Sequence, residues 1–281
     1  MKIFITGSTG FLGSSFVEHY TEIRETVYAH TRDTDIVQSL DDFKPDLVIH
    51  CAAEIYNHDI MIDSNILLTH HILEWLRQNP KTRMIQIGSS SEYGQVGRAT
   101  AETDRINPAD VYQATKGAAT LLCQAYSRQY KLQIAVARIY SGYGAHERER
   151  RLFPTLYRAF FNDEPMKLYE GVHDFIYIQD FLRGIDLLLN KDWPAGEIVN
   201  FGSGVQTTNS QVLAAWRQIT GKTAPVEITA GYIRPFDSTV WCCDTAYAKT
   251  QYGFAAKYDL ISGITDFITR KHERIRTRSS S

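Results

Sequence analysis

The first thirteen residues narrow the fold more than any other stretch of this chain. Lys2-Ile3-Phe4-Ile5-Thr6 is a short apolar run of β-forming residues, and it passes directly into Gly7-Ser8-Thr9-Gly10-Phe11-Leu12-Gly13 and an amphipathic helix to about Ile23. Strand, glycine turn and helix in that order begin a βαβ unit, and therefore a parallel sheet with helices on its faces. Glycines so placed let the backbone come close to a pyrophosphate, whose charge then rests on N–H groups at the positive end of the helix dipole. Gly7, Thr9, Gly10, Phe11, Leu12 and Gly13 are the candidate contacts for such a dinucleotide.

The alternation continues. Thr26 to His30 predicts a second strand, ending where an adenosine ribose would lie. A carboxylate at that place serves NAD, whereas this chain reads His30-Thr31-Arg32-Asp33. Arg32 can pair with a 2′-phosphate, which favours NADP, and Asp33 keeps NAD as the alternative. Asp35-Ile36 opens a short helix and is assigned to the adenine side. The third strand, Asp46 to His50, runs into Cys51-Ala52-Ala53, where Ala52 and Ala53 are small enough for the chain to pass beside a cofactor. His50 and Cys51 read as buried strand residues. A helix from about Met61 to Gln78 carries Asn65, a candidate to hydrogen-bond the backbone beneath the site. Strand four, Met84 to Gly88, delivers Ser89-Ser90-Ser91-Glu92-Tyr93-Gly94 at its C-terminal end, the end that faces the ligand crevice in a doubly wound sheet.

Tyr112 and Lys116 stand four positions apart on the next predicted helix, Asp110 to Tyr130, and project from one face. An ammonium beside a phenol favours the phenolate and lowers the tyrosine pKa, as a proton-transferring tyrosine requires. A serine from the preceding loop can hydrogen-bond the substrate oxygen that Tyr112 protonates or deprotonates. Either feature alone is common in helices and turns, and their combination carries the assignment.

Composition sets the outer bounds. A chain of 281 residues, 43% hydrophobic, can bury the core of one large domain or one and a half. A net charge of −2 gives no reason to invoke nucleic acid. The four cysteines, Cys51, Cys123, Cys242 and Cys243, lack zinc-site spacing and read as free thiols. The adjacent His70 and His71 face apart on a helix and make a poor metal pair. No apolar run is long enough to cross a bilayer, and the chain opens on a strand, so a cytoplasmic location is expected. The basic stretch from Arg270 to Arg278 is expected to be a solvated, fraying tail.

Taken together, Thr6 to Gly13, Ala52-Ala53, Gly88 to Gly94 and Tyr112-x-x-x-Lys116 resemble the extended short-chain dehydrogenases/reductases that act on nucleotide sugars, the epimerase/dehydratase group that includes UDP-galactose 4-epimerases and GDP-fucose synthases. Downstream, Arg138-Ile139-Tyr140-Ser141-Gly142-Tyr143-Gly144 is similar to that family's Arg-x-Phe-Asn-x-Tyr-Gly turn, and His173-Asp174-Phe175-Ile176-Tyr177-Ile178-Gln179-Asp180 to its Arg-Asp-Phe-x-x-Val-x-Asp segment. Asn200 to Gly204 and Arg234-Pro235-Phe236-Asp237 match two further landmarks, so the likeness covers nearly the whole chain.

The resemblance implies an α/β fold, a Rossmann-type doubly wound parallel sheet with a smaller, discontinuous C-terminal substrate domain. The dinucleotide domain would span 1–141 with later returns near 174–203; 142–173 and 204–272 would form the substrate part, and 273–281 a flexible tail. It implies Ser89 as the catalytic hydroxyl, Tyr112 as acid or base, and Lys116 on the nicotinamide ribose, with Tyr140 also on the cofactor. Ser90, Ser91, Ser141 and Arg234 would meet the substrate, Arg234 at its diphosphate. Ser141 replaces the family's usual asparagine and His173 its usual arginine.

The serine loop also bears on reaction type. The family's 4,6-dehydratases follow the catalytic Ser/Thr with an acidic pair, where this chain has Ser90 and Ser91, poor acids and bases at neutral pH. Glu92 would reach such a position only in a loop one residue shorter. Epimerisation or 4-ketoreduction at C4 of a nucleotide-linked hexose is therefore the main expectation, with a 4,6-dehydratase, a non-catalytic NAD(P)-binding protein and a reductase of non-nucleotide ketones as alternatives. Thr31-Arg32-Asp33 and the compact serine loop are similar to those of GDP-fucose synthases, whose epimerising histidine has His146 as its one candidate here. A homodimer through the helices Met61 to Gln78 and Asp110 to Tyr130 is a further implication of the family.

Overall fold

The computed structural model describes residues 1–229 and 239–279, with side-chain surroundings to residue 277. Six strands form one sheet: β1 (Lys2–Thr6), β2 (Thr26–Ala29), β3 (Leu47–His50), β4 (Arg83–Ser89), β5 (Ile134–Ile139) and β9 (Glu197–Phe201), in the spatial order β2-β1-β3-β4-β5-β9. Every neighbouring pair in it is parallel. The chain steps from β1 outward to β2 and returns on the other side of β1 to β3, so the order reverses between β1 and β3. That reversal opens the crevice in which sheets of this kind bind ligands.

Side-chain alternation explains the two covered faces. Ile3, Ile5, Leu47, Ile49, Ile85 and Ile87 pack into one core with Phe16 and Tyr20 of α1 (Phe11–Glu22) and Phe181 and Ile185 of α6 (Ile178–Leu189). Phe4, Val48 and Met84 face the opposite way, onto Leu40 of α2 (Ile36–Phe43), Ile72, Leu73 and Leu76 of α3 (Leu68–Gln78), and Cys123 of α4 (Val111–Tyr130). The helix expected over 61–78 is regular only from Leu68. Before it, Asp63–Leu67 forms a wider π-type turn, a distortion that often accompanies functional side chains, and it carries the buried Asn65.

Beyond β5 the chain builds two small sheets. β6 (Ser141–Tyr143), β8 (Val172–Tyr177) and β10 (Gln206–Thr208) order as β10-β8-β6, and β7 (Met166–Tyr169) pairs with β11 (Val226–Thr229). Helices α5 (Leu152–Asn162), α7 (Asn209–Thr220) and α9 (Leu260–Ser279) surround an aromatic cluster in which Tyr143 stacks on Phe153 at 3.9 Å between ring centroids. α8 (Ala246–Tyr252) packs near β9.

Local pattern reads Leu260 to Lys271 as the closing helix, Asp180 as the cap of the helix through Leu189 and Trp241 to Cys243 as a short strand, and the structure corrects each of these expectations. The closing helix does not stop at Lys271 with a tail from 273; it continues to Ser279, and Lys271 and Arg274 contact Glu149 and His146 of a loop far away in sequence. Asp180 does not cap α6. Its carboxylate accepts the Lys257 and Tyr258 amides at 2.9 Å each and Arg183 at 2.7 Å, which ties α6 to the segment before α9. Trp241 to Cys243 is not a strand: Cys243 makes one isolated bridge to Thr100. The cysteines are free thiols, as expected. Among the described residues no helix is long and apolar enough to cross a membrane, and no His/Cys/Asp/Glu group could hold a metal.

Candidate active site

The glycine turn between β1 and α1 lies at the sheet reversal. Gly7 takes a φ of +63°, and a Cβ there would stand 2.7 Å from the Ala52 amide nitrogen. A Cβ on Gly13 would stand 2.1 Å from the Gly7 carbonyl oxygen. Glycine is required at both places, by conformation at the first and by backbone packing at each. α1 begins at Gly10 without a side-chain cap, so no side chain competes for the first amides of the helix. A cradle that a Cβ would fill and an uncapped helix start fit a dinucleotide pyrophosphate.

Neighbouring side chains hold this turn. Thr6 Oγ1 lies 2.6 Å from His50 Nδ1 and accepts the Ala52 amide at 3.2 Å. His50, also bonded to Thr69, is buried as expected, and burial pulls its pKa down to about 3, so it is neutral. Asn65 accepts the Glu54 amide at 2.7 Å and donates to the Glu54 carbonyl at 2.9 Å and to Thr115 Oγ1 at 2.8 Å. It ties the loop after β3 to α4 and leaves its amide group fully used, which makes it a support of the cofactor wall. Thr9 is exposed on the turn, and the Phe11 ring lies against Gly142 and Gly144, joining the turn to the second half of the chain. Leu12 packs half-buried on the core.

At the β2 end, Arg32 is largely exposed and pairs with Glu54 at 3.4 Å. Asp35 caps α2 by accepting the Gln38 amide at 2.8 Å, and Ile36 is packed into the core. Both side chains thus have structural work at the place expected for the adenine.

The serine run closes β4 with a capping box. Ser89 Oγ accepts the Ser91 amide at 3.2 Å, and Glu92 Oε1 accepts the Ser89 amide at 2.8 Å. Glu92 Oε2 accepts Arg138 Nε at 2.9 Å and Thr120 Oγ1 at 2.8 Å, and the glutamate is fully buried. Glu92 is therefore a structural anchor turned away from the crevice, and the shorter-loop reading that would make it an acid is not the geometry found. What reaches the crevice is Ser89, whose hydroxyl lowers the Tyr112 phenol's pKa and lies 2.7 Å from Ser91 Oγ. Ser90 lines a pocket with Tyr93, Thr100, Tyr140, Trp241 and Cys242.

Asp110 caps α4 by accepting the Gln113 amide at 2.8 Å, which sets Tyr112 and Lys116 on the helix face toward β4. Here the electrostatics differ from the sequence-based expectation. Burial pushes the Tyr112 phenol up to about 12; the Ser89 hydrogen bond and the charge of Arg151 lower it against burial, with Glu92 adding to the rise. The buried Lys116 ammonium donates to the Ile87 carbonyl at 2.6 Å, and burial lowers its pKa. A positive charge from the loop before α5, absent from any helical spacing pattern, acts on the tyrosine.

The remaining assignments divide. Tyr140, expected on the cofactor, is buried with its hydroxyl on Thr100 and lines the pocket beside Ser90. Ser141 and His173, the two departures from the family pattern, meet each other at 3.1 Å between Oγ and Nδ1. Asp174 accepts the Gly204 and Cys243 amides at 2.9 Å each, which closes the small sheet over β9. His146 is engaged by Glu18 of α1 at 2.9 Å and by Arg274 of α9 at 2.6 Å, partners outside the serine–tyrosine pair. Arg234 lies outside the described residues.

The model of the NAD dependent epimerase/dehydratase family matches residues 3–202. A dTDP-glucose 4,6-dehydratase of Haemophilus influenzae is 25% identical, over 92% of this chain and 89% of that protein. The structure of MoeE5 in complex with UDP-glucuronic acid and NAD superposes with a TM-score of 0.87 at 23% identity, covering 98% of this chain and 100% of that one. The UDP-glucuronic acid 4-epimerase of Bacillus cereus, in complex with UDP-glucuronic acid and NAD, gives 0.85 at 23% identity with the same coverage. Both structures share the fold.

Proposed function

The chain belongs to the NAD dependent epimerase/dehydratase family, and on that premise we propose that it is an NAD(P)-dependent 4-epimerase or 4-ketoreductase of a nucleotide-linked hexose. The observation that carries the reading is Ser89 at the C-terminal end of β4 with Tyr112 and Lys116 on α4, whose Lys116 ammonium is anchored on the Ile87 carbonyl of that strand, together with the glycine cradle.

Gly7, Gly10 and Gly13 with the start of α1 would hold the pyrophosphate, and Ala52, Ala53 and Lys116 the nicotinamide half. The cofactor, when bound, supplies hydride chemistry at the sugar C4. Ser89 orients the C4 oxygen, and Tyr112 gives or takes its proton. With its phenol held protonated at neutral pH, Tyr112 starts as the acid, which suits reduction of a 4-ketone directly. Removing a proton from an alcohol requires added positive charge at the phenol. Ser90 and Ser91 supply no acid–base pair, and the Glu92 carboxylate is held by Arg138, Thr120 and the Ser89 amide, which disfavours dehydration.

NADP is the favoured cofactor because Arg32 stands exposed at the β2 end, with NAD the alternative. A nucleoside-diphosphate sugar is the substrate class, and a homodimer through the 61–78 and 111–130 helices is supported by the exposed Ile62, Leu67, Val111 and Leu121 along them. Mass spectrometry and absorbance of the dinucleotide released from freshly purified, denatured protein test the reading. Tightly held NAD supports an epimerase, and preferential uptake of NADPH supports a ketoreductase. A protein that neither carries nor binds any nicotinamide dinucleotide refutes the proposal.

A further inference from the structure

β2 and β3 pair with opposite edges of β1, all three parallel, so the chain leaves both strands at the same end of the sheet, one on each side of the glycine turn. Two charged side chains meet there: Arg32, from the segment after β2, brings its Nη2 to 3.4 Å from Oε2 of Glu54, from the segment after β3. They are held very differently. The Glu54 side chain is 12% exposed and that of Arg32 69%. Glu54 Oε1 accepts the amides of Ile55, Tyr56 and Asn57 at 2.9, 3.0 and 3.3 Å, while its own amide and carbonyl are bonded to Asn65. Those amides, that of Tyr56 foremost, and the arginine hold its carboxyl down to about 2 against burial, so Glu54 is charged at neutral pH. Among the described residues Arg32 makes this one polar contact, longer than an ordinary N–H···O bond. An exposed ion pair of this kind restrains a side chain weakly, so Arg32 is free to turn aside.

The adenosine end of NAD calls for a carboxylate that accepts ribose hydroxyls, and the 2′-phosphate of NADP calls for a cation. The end of β2 reads His30-Thr31-Arg32-Asp33, and Asp33 is exposed. The folded chain brings a carboxylate to the same place from a different strand, beside the arginine assigned to the phosphate. Oε1 of Glu54 is committed to three amides, whereas Oε2 has only the long Arg32 contact and keeps lone pairs for another donor. A fixed carboxylate next to a movable guanidinium suits two cofactors unequally. With Arg32 aside, Oε2 accepts a hydroxyl; with Arg32 on a phosphate, the fixed negative charge repels that phosphate.

We propose that Glu54 selects between the two cofactors, its Oε2 accepting the adenosine 2′-hydroxyl of NAD(H) and repelling the 2′-phosphate of NADP(H), in opposition to Arg32. The inference rests on the NAD(P) reading and adds to it a second determinant, from the loop after β3. Selectivity is then a ratio of two affinities that Arg32 and Glu54 push in opposite directions.

Fluorescence titration of the full chain with NADH, NADPH and NADH lacking the adenosine 2′-hydroxyl tests this. Glu54→Gln keeps an acceptor for the three amides and removes the charge. It is expected to shift the ratio of dissociation constants toward NADPH by about tenfold or more, opposite in sign to the shift from Arg32→Ala. A role confined to supporting the loop changes both affinities alike; an unchanged ratio, or a shift toward NADH, overturns the inference. The wild type supplies a second readout that does not depend on how Glu54→Gln folds. Loss of the 2′-hydroxyl should weaken NADH by about fivefold or more, and equal affinity for the two overturns the inference alone. A wild type that binds no nicotinamide dinucleotide overturns the NAD(P) reading and the inference with it.

Discussion

Glu92 Oε2 accepts the Arg138 Nε–H at 2.9 Å, with the glutamate side chain 0% and the arginine 2% exposed. The pair joins the serine loop to the C-terminal end of β5. The other carboxylate oxygen holds the Ser89 amide, so the position of the Ser89 hydroxyl depends on a buried ion pair.

Removing one partner of a buried pair strands the other charge. Glu92→Gln is expected to lose about 3–5 kcal/mol of stability by denaturant titration. A loss below about 1 kcal/mol would show that the pair is not the anchor described here.

Tyr112→Phe removes the phenolic proton assigned to the substrate oxygen while keeping the ring. Turnover should fall about 10²- to 10⁴-fold with dinucleotide affinity nearly unchanged. Wild-type turnover in this variant would remove Tyr112 from the mechanism.

Gly13→Ala places a Cβ that, unrelaxed, stands 2.1 Å from the Gly7 carbonyl, so the turn must open. A backbone displacement of this kind costs on the order of 1–3 kcal/mol, and dinucleotide affinity should drop about tenfold or more. Fluorescence titration of the cofactor checks it, and retained affinity would place the pyrophosphate elsewhere.

Arg32→Ala should weaken NADPH more than NADH, because only the former brings a 2′-phosphate to the β2 end. Competition titrations with the two cofactors decide it; equal losses remove the case for NADP.

Glu147 gives stability a definite pH dependence. Burial raises its folded pKa to about 7 from an ordinary value near 4.5, so the folded state holds the proton more tightly than the unfolded chain. Its contribution is fully present below about pH 4.5 and is lost as pH rises through about 7. Glu147→Gln should therefore reduce the fall in stability across that window by about 2–3 kcal/mol, measured as denaturation midpoints over pH. An unchanged pH profile would mean that Glu147 titrates normally.

Much of the fold is legible in local pattern. Ile3, Phe4 and Ile5 alternate between two cores because strand side chains alternate, and nothing distant is needed to see it. Gly7 and Gly13 declare a tight turn through what they lack, and Tyr112 and Lys116 share a helix face by spacing alone. Ser89 at the end of β4 follows from the same local logic, as does Asp35 at the start of α2, although its capping role leaves no pattern that separates it from a ligand contact.

Other assignments needed the folded molecule. Asp180 looks like a helix cap in sequence, yet its carboxylate serves amides at Lys257 and Tyr258. Tyr140 sits within a cofactor-type segment and turns its hydroxyl to Thr100. Lys116 has the spacing to act on Tyr112, while the charge that lowers the phenol pKa comes from Arg151. The sequence by itself determined the strand–turn–helix frame, the alternation of strands and helices along the chain and the shared helix face of Tyr112 and Lys116, since these depend on backbone geometry over a few residues. The tertiary structure decided that Glu92 is an anchor and that Arg148 stands 6.0 Å from the centroid of the Tyr56 ring. Burial and charge pairing depend on which distant loops pack together, and that is a property of the whole fold.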